Sequence, residues 1–342
     1  MRILVIGGTH FMGPYVINNL HQAGHEITIF HRGKTKTTLP AGAQEILGNR
    51  DHLPEYASEL RKTEPEVVLD MIVLNERHAR ELMHTFSGVS KRVVVISSMD
   101  VYHAFGLVNR HEEGEPDNSL LTEDSPVRSK LYPYRTEPPK NDDDPERWKD
   151  EYDKIPAERI VMNYPGLPGT ILRLPAVYGP HDAQHRMFLY LKRMLDGRQA
   201  ILLEDDVARW RWTHGYVENV TDAITLAVTN ERASGRLYNV GEPFALSMQE
   251  RVEQIGKAAN WHGKIITLPA EQIPEGLRWG INAAQDVIAD TSRIRQELGY
   301  SERIDQAEAF HRTIAWERDN WPDPIDASQF DYAAEDQVLA GL

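Results

Sequence analysis

Gly7-Gly8-Thr9-His10-Phe11-Met12-Gly13 is the densest piece of chemistry in this sequence. An apolar run over 3–6 leads into it, and a helix predicted over 14–23 leads out. A strand, a glycine turn and a helix open a dinucleotide-binding βαβ unit, whose helix N-terminus offers free N–H groups and a positive dipole end to a pyrophosphate. Glycines spaced G-x-x-G-x-x-G would fall at Gly7, position 10 and Gly13, and position 10 is His. Histidine tolerates the left-handed backbone region, and its imidazole can donate to a phosphate oxygen. The competing reading is a loop histidine turned to solvent.

Two further clusters carry charge suited to phosphate. The second predicted strand ends in "TIFHRGKT", where an acidic residue would bind both ribose hydroxyls of NAD and repel a 2′-phosphate. His31 and Arg32 stand there instead, with Lys34 and Lys36 beyond and Arg50 after the next strand. These residues favour NADP over NAD. Arg209, Trp210, Arg211 and Trp212 precede His214 and Tyr216. Arginines among aromatics suit a phosphorylated or nucleotide-linked substrate, and equally an edge strand with alternating exposed charge. His181 and His185, at i and i+4, have metal-ligand spacing on a helix but lack a third ligand, so no metal is expected.

The elements around these residues read as an α/β protein. Strands are predicted over 3–6, 26–30, 44–47, 67–71, 93–97, 169–175, 200–204 and 236–242, and helices over 14–23, 52–62, 76–86, 156–164, 186–196, 214–228, 247–260 and 292–299. Near-continuous apolar strands fit a parallel sheet buried on both faces, and repeated βα units imply right-handed crossovers and a doubly wound sheet. The expected organisation is a dinucleotide-binding domain over 1–179, to which 211–241 returns, and a smaller α/β substrate domain from 180–210 and 242–320. A polar tail, 321–342, is expected to be loosely packed.

The chain has 342 residues, no cysteine and a formal net charge of −14. Disulfides and thiolate metal sites are excluded, and a cytoplasmic location is expected. Apolar runs are too short for a membrane span, and with the first strand starting at once no signal peptide is expected. The acidity disfavours a nucleic-acid partner. Half of it lies in an insertion, 109–153, with 14 acidic and 7 basic side chains. Its composition reads as a solvated loop, while "LYPYR" (131–135) and Trp148 point to an ordered lid over a site.

"GGTHFMG", "ISSMDVY", "YDKIPAE", "LRLPAVYGP" and "YNVGE" occur in the order and spacing of the extended short-chain dehydrogenase/reductases, and the chain resembles their NAD-dependent epimerase/dehydratase branch over roughly 1–320. The resemblance implies a Rossmann-type sheet and hydride transfer on a sugar-like or nucleotide-sugar substrate. It makes Ser98 the hydroxyl that holds the reacting oxygen and Lys154, with Glu158 four residues on, the lysine beside the nicotinamide ribose. The cofactor set becomes Gly7, Thr9, His10, Phe11, Met12, Gly13, His31, Arg32, Arg50, Ile72 and Lys154. Asp100, Tyr102, Tyr178 and Arg211 are the substrate residues, Arg173 is a buried structural residue, and a homodimer is expected.

The tyrosine departs from the family pattern. Tyr-x-x-x-Lys would put it at 150, which is Asp, and Tyr152 sits two residues before Lys154. On a helix those two side chains would diverge. Pro156 resolves this: a helix starting near 155 leaves 150–154 as loop, where Tyr152 and Lys154 can converge. Asp100, Tyr102 and Asp150 are the competing proton carriers. The alternative function is a catalytically weak dinucleotide-binding regulator or scaffold, favoured by the displaced tyrosine.

Overall fold

The computed structural model describes residues 1–141 and 143–342. Its strands are β1 (Arg2–Ile6), β2 (Glu26–His31), β3 (Gln44–Leu47), β4 (Val67–Asp70), β5 (Arg92–Ser98), β6 (Gly169–Leu174), β7 (Ala176–Tyr178), β8 (Ala200–Glu204), β9 (His214–Tyr216), β10 (Leu237–Asn239) and β11 (Lys264–Leu268). Seven of them form one sheet in the order β10-β6-β5-β4-β1-β2-β3, every pair parallel. The order reverses direction at β1, so the C-terminal ends of β1 and β4 open the crevice where such sheets bind ligands. β1, β4, β5 and β6 are apolar and buried along nearly their whole length, which is what helices on both faces require.

Helix α1 (Met12–Gln22) follows the glycine turn, and α2 (Leu53–Lys62), α3 (Glu76–Phe86), α4 (His103–Val108) and α5 (Lys154–Asn163) follow in order. α1 packs on the helix Val217–Thr229 on one face of the sheet, and α3 packs on α5. β10 returns to the main sheet beside β6, whereas β8 pairs with β11 and β7 with β9 in separate two-stranded sheets.

The end of the chain is largely exposed, as the expected tail would be, but it is anchored at a few points. The helix Tyr332–Ala340 buries Glu335 completely against Arg193 at 2.8 Å. Phe188 meets Trp321 and Phe330 at 5.4 and 6.0 Å between ring centroids. Val338 and Leu339 join Leu202, Leu268 and Ile273 in a small apolar cluster. The acidic composition concealed this contact, because one inward carboxylate and a few aromatics do the packing. Among the described residues no helix is long and apolar enough to cross a membrane.

Candidate active site

The glycine turn is built by sterics. Gly7 and Gly8 take φ of +85° and +78°, and a Cβ at Gly13 would lie 2.1 Å from the Gly8 carbonyl oxygen. Glycine at 13 therefore lets α1 close onto the turn. The left-handed residue is Phe11, with φ 46°, and not His10. His10 is exposed, so its place in the motif needs no special backbone. Strain of this kind at Phe11 is stored where the surroundings fix it.

Beside this turn lies a cavity of about 330 Å³ lined by Gly7, Gly8, Thr9, His10, Phe11, Met12, His31, Arg32, Lys34, Arg50 and Ile72, among others. All but Gly13 and Lys154 of the expected cofactor set line it. Two of its basic residues do not act as free charges. Arg50 is buried, donating to Asp70 at 2.8 Å, to Glu81 at 3.3 Å and to the His78 carbonyl at 2.6 Å. His31 is buried: its Nδ1 accepts the Gly33 N–H at 3.2 Å, and its Nε2, 3.3 Å from Glu45, makes no hydrogen bond among the described residues. Arg32 and Lys34 are exposed and make no ion pair among the described residues. The turn, the free N–H groups at the start of α1 and these two cations fit a dinucleotide.

Ser98 closes β5, and its Oγ accepts the Asp100 N–H at 3.2 Å, capping a short 3-10 turn over Met99–Val101. The Tyr152 hydroxyl faces both Ser98 and the Asp100 carboxyl. It can do so because α5 starts at Lys154, capped by Asp153, whose Oδ1 accepts the Ile155 N–H at 2.9 Å. Pro156 occupies the third helical position, where no N–H is needed, and Tyr152 stays outside the helix. Burial raises both Tyr152 and Asp100 above their ordinary values, and each anion would disfavour the other. Asp100 is 9% exposed, and its Oδ1 is buried without a hydrogen-bond partner among the described residues.

Lys154 lies beneath, donating from Nζ to the carbonyls of Val73 and Ile96, the latter at 3.0 Å. Two of three ammonium donors are thereby used, and one remains. Burial lowers this group to about 8, although Asp100, Asp70 and Glu158 pull the other way. Its charge is complete below that pH and lost above it. Dinucleotide affinity and turnover are therefore expected to fall together as pH rises through about 8. In Lys154→Met both should be weak at every pH; an alkaline limb that persists in the variant would assign it to another group.

Four expected site residues are placed elsewhere. Tyr102 is fully buried, its hydroxyl on Asn239 at 2.7 Å and its ring under Arg173. Tyr178 is fully buried too, with its hydroxyl on Glu242 at 2.7 Å and Arg251 over its ring, so it forms core and no pocket wall. Arg211 donates to the Ala245 carbonyl at 2.8 Å and pairs with Glu250. Asp150 accepts the backbone N–H groups of Thr136 and Lys140, which hold it ionised below the usual carboxylate range and remove it from proton transfer. Trp210 and Trp212 pack against each other at a tilt and meet Trp279 and Phe105 edge-on. His181 and His185 lie in a turn with positive φ, and His185 pairs with Glu317. No group of three or more His, Asp or Glu among the described residues is arranged to hold a metal.

The acidic insertion is ordered by its carboxylates. Glu112 accepts from Ser129 and Lys130, Asp150 from Thr136 and Lys140, and Asp153 from Tyr132. Composition therefore misled in one respect: several acids face inward as acceptors for the insertion's own backbone. Tyr134 and Trp148 each pack 5.7 Å from the Tyr152 ring, which places the insertion over the Ser98 end of the sheet. Sequence reasoning noted "LYPYR" without connecting Tyr134 to Asp100, a contact across 34 positions with no motif to mark it.

The NAD dependent epimerase/dehydratase family model matches residues 3–241. UDP-N-acetyl-alpha-D-glucosaminuronate decarboxylase of Bacillus cytotoxicus is 24% identical over 344 residues, covering 93% of this chain and 98% of its own. The 2'-dehydrokanamycin reductase of Streptomyces kanamyceticus is 26% identical over 318 residues, 89% of this chain and 79% of its own. The crystal structure of dTDP-glucose 4,6-dehydratase from Bacillus anthracis in complex with NAD shares the fold, with a TM-score of 0.68 at 16% identity over 95% of this chain and 99% of that one. With the family model spanning the whole sheet and the glycine turn intact, the chain belongs to the NAD-dependent epimerase/dehydratase family.

Proposed function

We propose that the protein is an NAD(P)-dependent oxidoreductase or epimerase/dehydratase acting on a sugar-like substrate, a nucleotide sugar foremost. The observation that carries this reading is the convergence of Ser98, Tyr152 and the unpartnered Oδ1 of Asp100 above Lys154, at strand ends next to the dinucleotide cavity. When bound, the dinucleotide supplies the hydride acceptor and donor. Ser98 and Tyr152 hold the oxygen of the reacting carbon. Tyr152 exchanges a proton with that oxygen, and Asp100 beside it takes the proton up. Lys154 turns its remaining donor to the ribose. The substrate is held between this edge and the segments 180–210 and 242–320. A regulator without activity loses its supporting feature, since the displaced tyrosine still faces Ser98.

The test is a single-turnover experiment on the holoprotein with UDP- and dTDP-hexoses added one at a time. A nicotinamide absorbance change with at least one sugar is expected; none with any sugar, cofactor bound, would count against this reading.

For the cofactor we read NADP(H), now on Arg32 and Lys34 alone. Arg32→Asp is expected to reverse the order of affinities. A native protein that prefers NAD tenfold in calorimetry, about 1.4 kcal/mol, would sink this choice.

A further inference from the structure

The segment carrying Tyr134 is clipped to the segment carrying Tyr152 on both sides. Asp153 Oδ2 accepts the Tyr132 N–H at 2.7 Å, and Asp150 Oδ1 accepts the Thr136 N–H at 3.0 Å. The two carboxylates flank Tyr152 in sequence, and the two amides they hold flank Tyr134. Arg135 adds a third tie, donating to the Asp150 carbonyl at 2.9 Å. Between these ties the two tyrosine rings meet at 5.7 Å, and His111 closes on the far side of Tyr134 at the same distance. The Tyr134 hydroxyl then reaches Asp100 Oδ2 at 3.4 Å, while Oδ1 is left without a partner.

We propose that Tyr134 is a positioning residue of the reaction centre, delivered by the acidic insertion. Its hydroxyl reaches one carboxylate oxygen of Asp100 and so orients the carboxyl, whose other oxygen is buried without a hydrogen-bond partner among the described residues. This rests on the function proposed above, yet its geometry makes a claim of its own. A residue outside every motif of the sheet, carried by the insertion, fixes the orientation of the Asp100 carboxyl. Arg128, Tyr152, Lys154 and Asp153 are the other charged or titratable groups around that carboxyl.

A donor to a carboxylate favours its ionised form. In Tyr134→Phe, which keeps the ring packing, Asp100 should therefore protonate at higher pH. The holoprotein labelled with carbon-13 aspartate reads this directly, with Asp100→Asn identifying the signal. The acidic limb of turnover should move with it, with kcat lowered about tenfold and KM little changed. Asp150→Ala, which releases the clip and keeps the hydroxyl, should move the same signal in the same direction. A folded Tyr134→Phe protein whose Asp100 titration is unmoved would overturn the proposal; an unmoved titration in folded Asp150→Ala would overturn delivery by the insertion. The titration needs no substrate, so failure to turn over any nucleotide sugar would tell against the substrate reading alone.

Discussion

Tyr152→Phe is expected to leave dinucleotide affinity nearly unchanged and to cut turnover ~10²-fold or more, the usual weight of a positioned acid or base. The ring sits between Tyr134 and Trp148, with the Lys154 ammonium 5.8 Å from its centroid, so phenylalanine keeps the packing and loses only the hydroxyl. That hydroxyl faces Ser98 and Asp100, the two groups through which a proton can reach the reacting oxygen. Lys154→Met should instead weaken affinity and turnover together, because its ammonium serves the cofactor and the strand ends at once. Steady-state rates with calorimetric affinities separate the two variants. Undiminished turnover in Tyr152→Phe would move the acid–base role to Asp100.

What could be read from the sequence follows burial. β1, β4, β5 and β6 are covered on both faces, and such strands read as near-continuous apolar runs. The glycine turn was legible because Gly7, Gly8 and Gly13 answer local steric demands within seven residues. The tyrosines were not legible in the same way. Tyr102, Tyr152 and Tyr178 all sit in or beside family-like motifs, and only the distant partner decides what each hydroxyl does. For Tyr102 it is Asn239, 137 positions away, and for Tyr178 it is Glu242, 64 away. Arg50 reads as a phosphate ligand until Asp70 is placed beside it. The insertion reads as solvated because composition cannot tell a carboxylate in water from one accepting backbone N–H groups.

The largest stability effect is expected at Glu158, one helical turn beyond Lys154. Glu158 is 7% exposed; it receives the Ser97 hydroxyl at 2.6 Å and pairs with Arg173 at 2.7 Å, itself 4% exposed. Arg173 also donates to the Glu123 carbonyl at 3.1 Å and lies 4.7 Å from the centre of the Tyr102 ring, so it cannot swing out to water without opening the sheet. Replacing a buried pair as a whole is often neutral, but removing one partner leaves an uncompensated charge. Glu158→Ala should therefore cost about 3–5 kcal/mol in denaturant unfolding. Glu158→Gln, which keeps an acceptor for Ser97 and for part of the guanidinium, should cost less. The damage is transmitted to the site, since Ser97 precedes Ser98 on β5 and loses its hydroxyl's bond to Glu158 in the alanine variant. A loss below about 1 kcal/mol in Glu158→Ala, the range of an exposed pair, would mean that water reaches Arg173. The end of β5 would then owe its position to the sheet register alone.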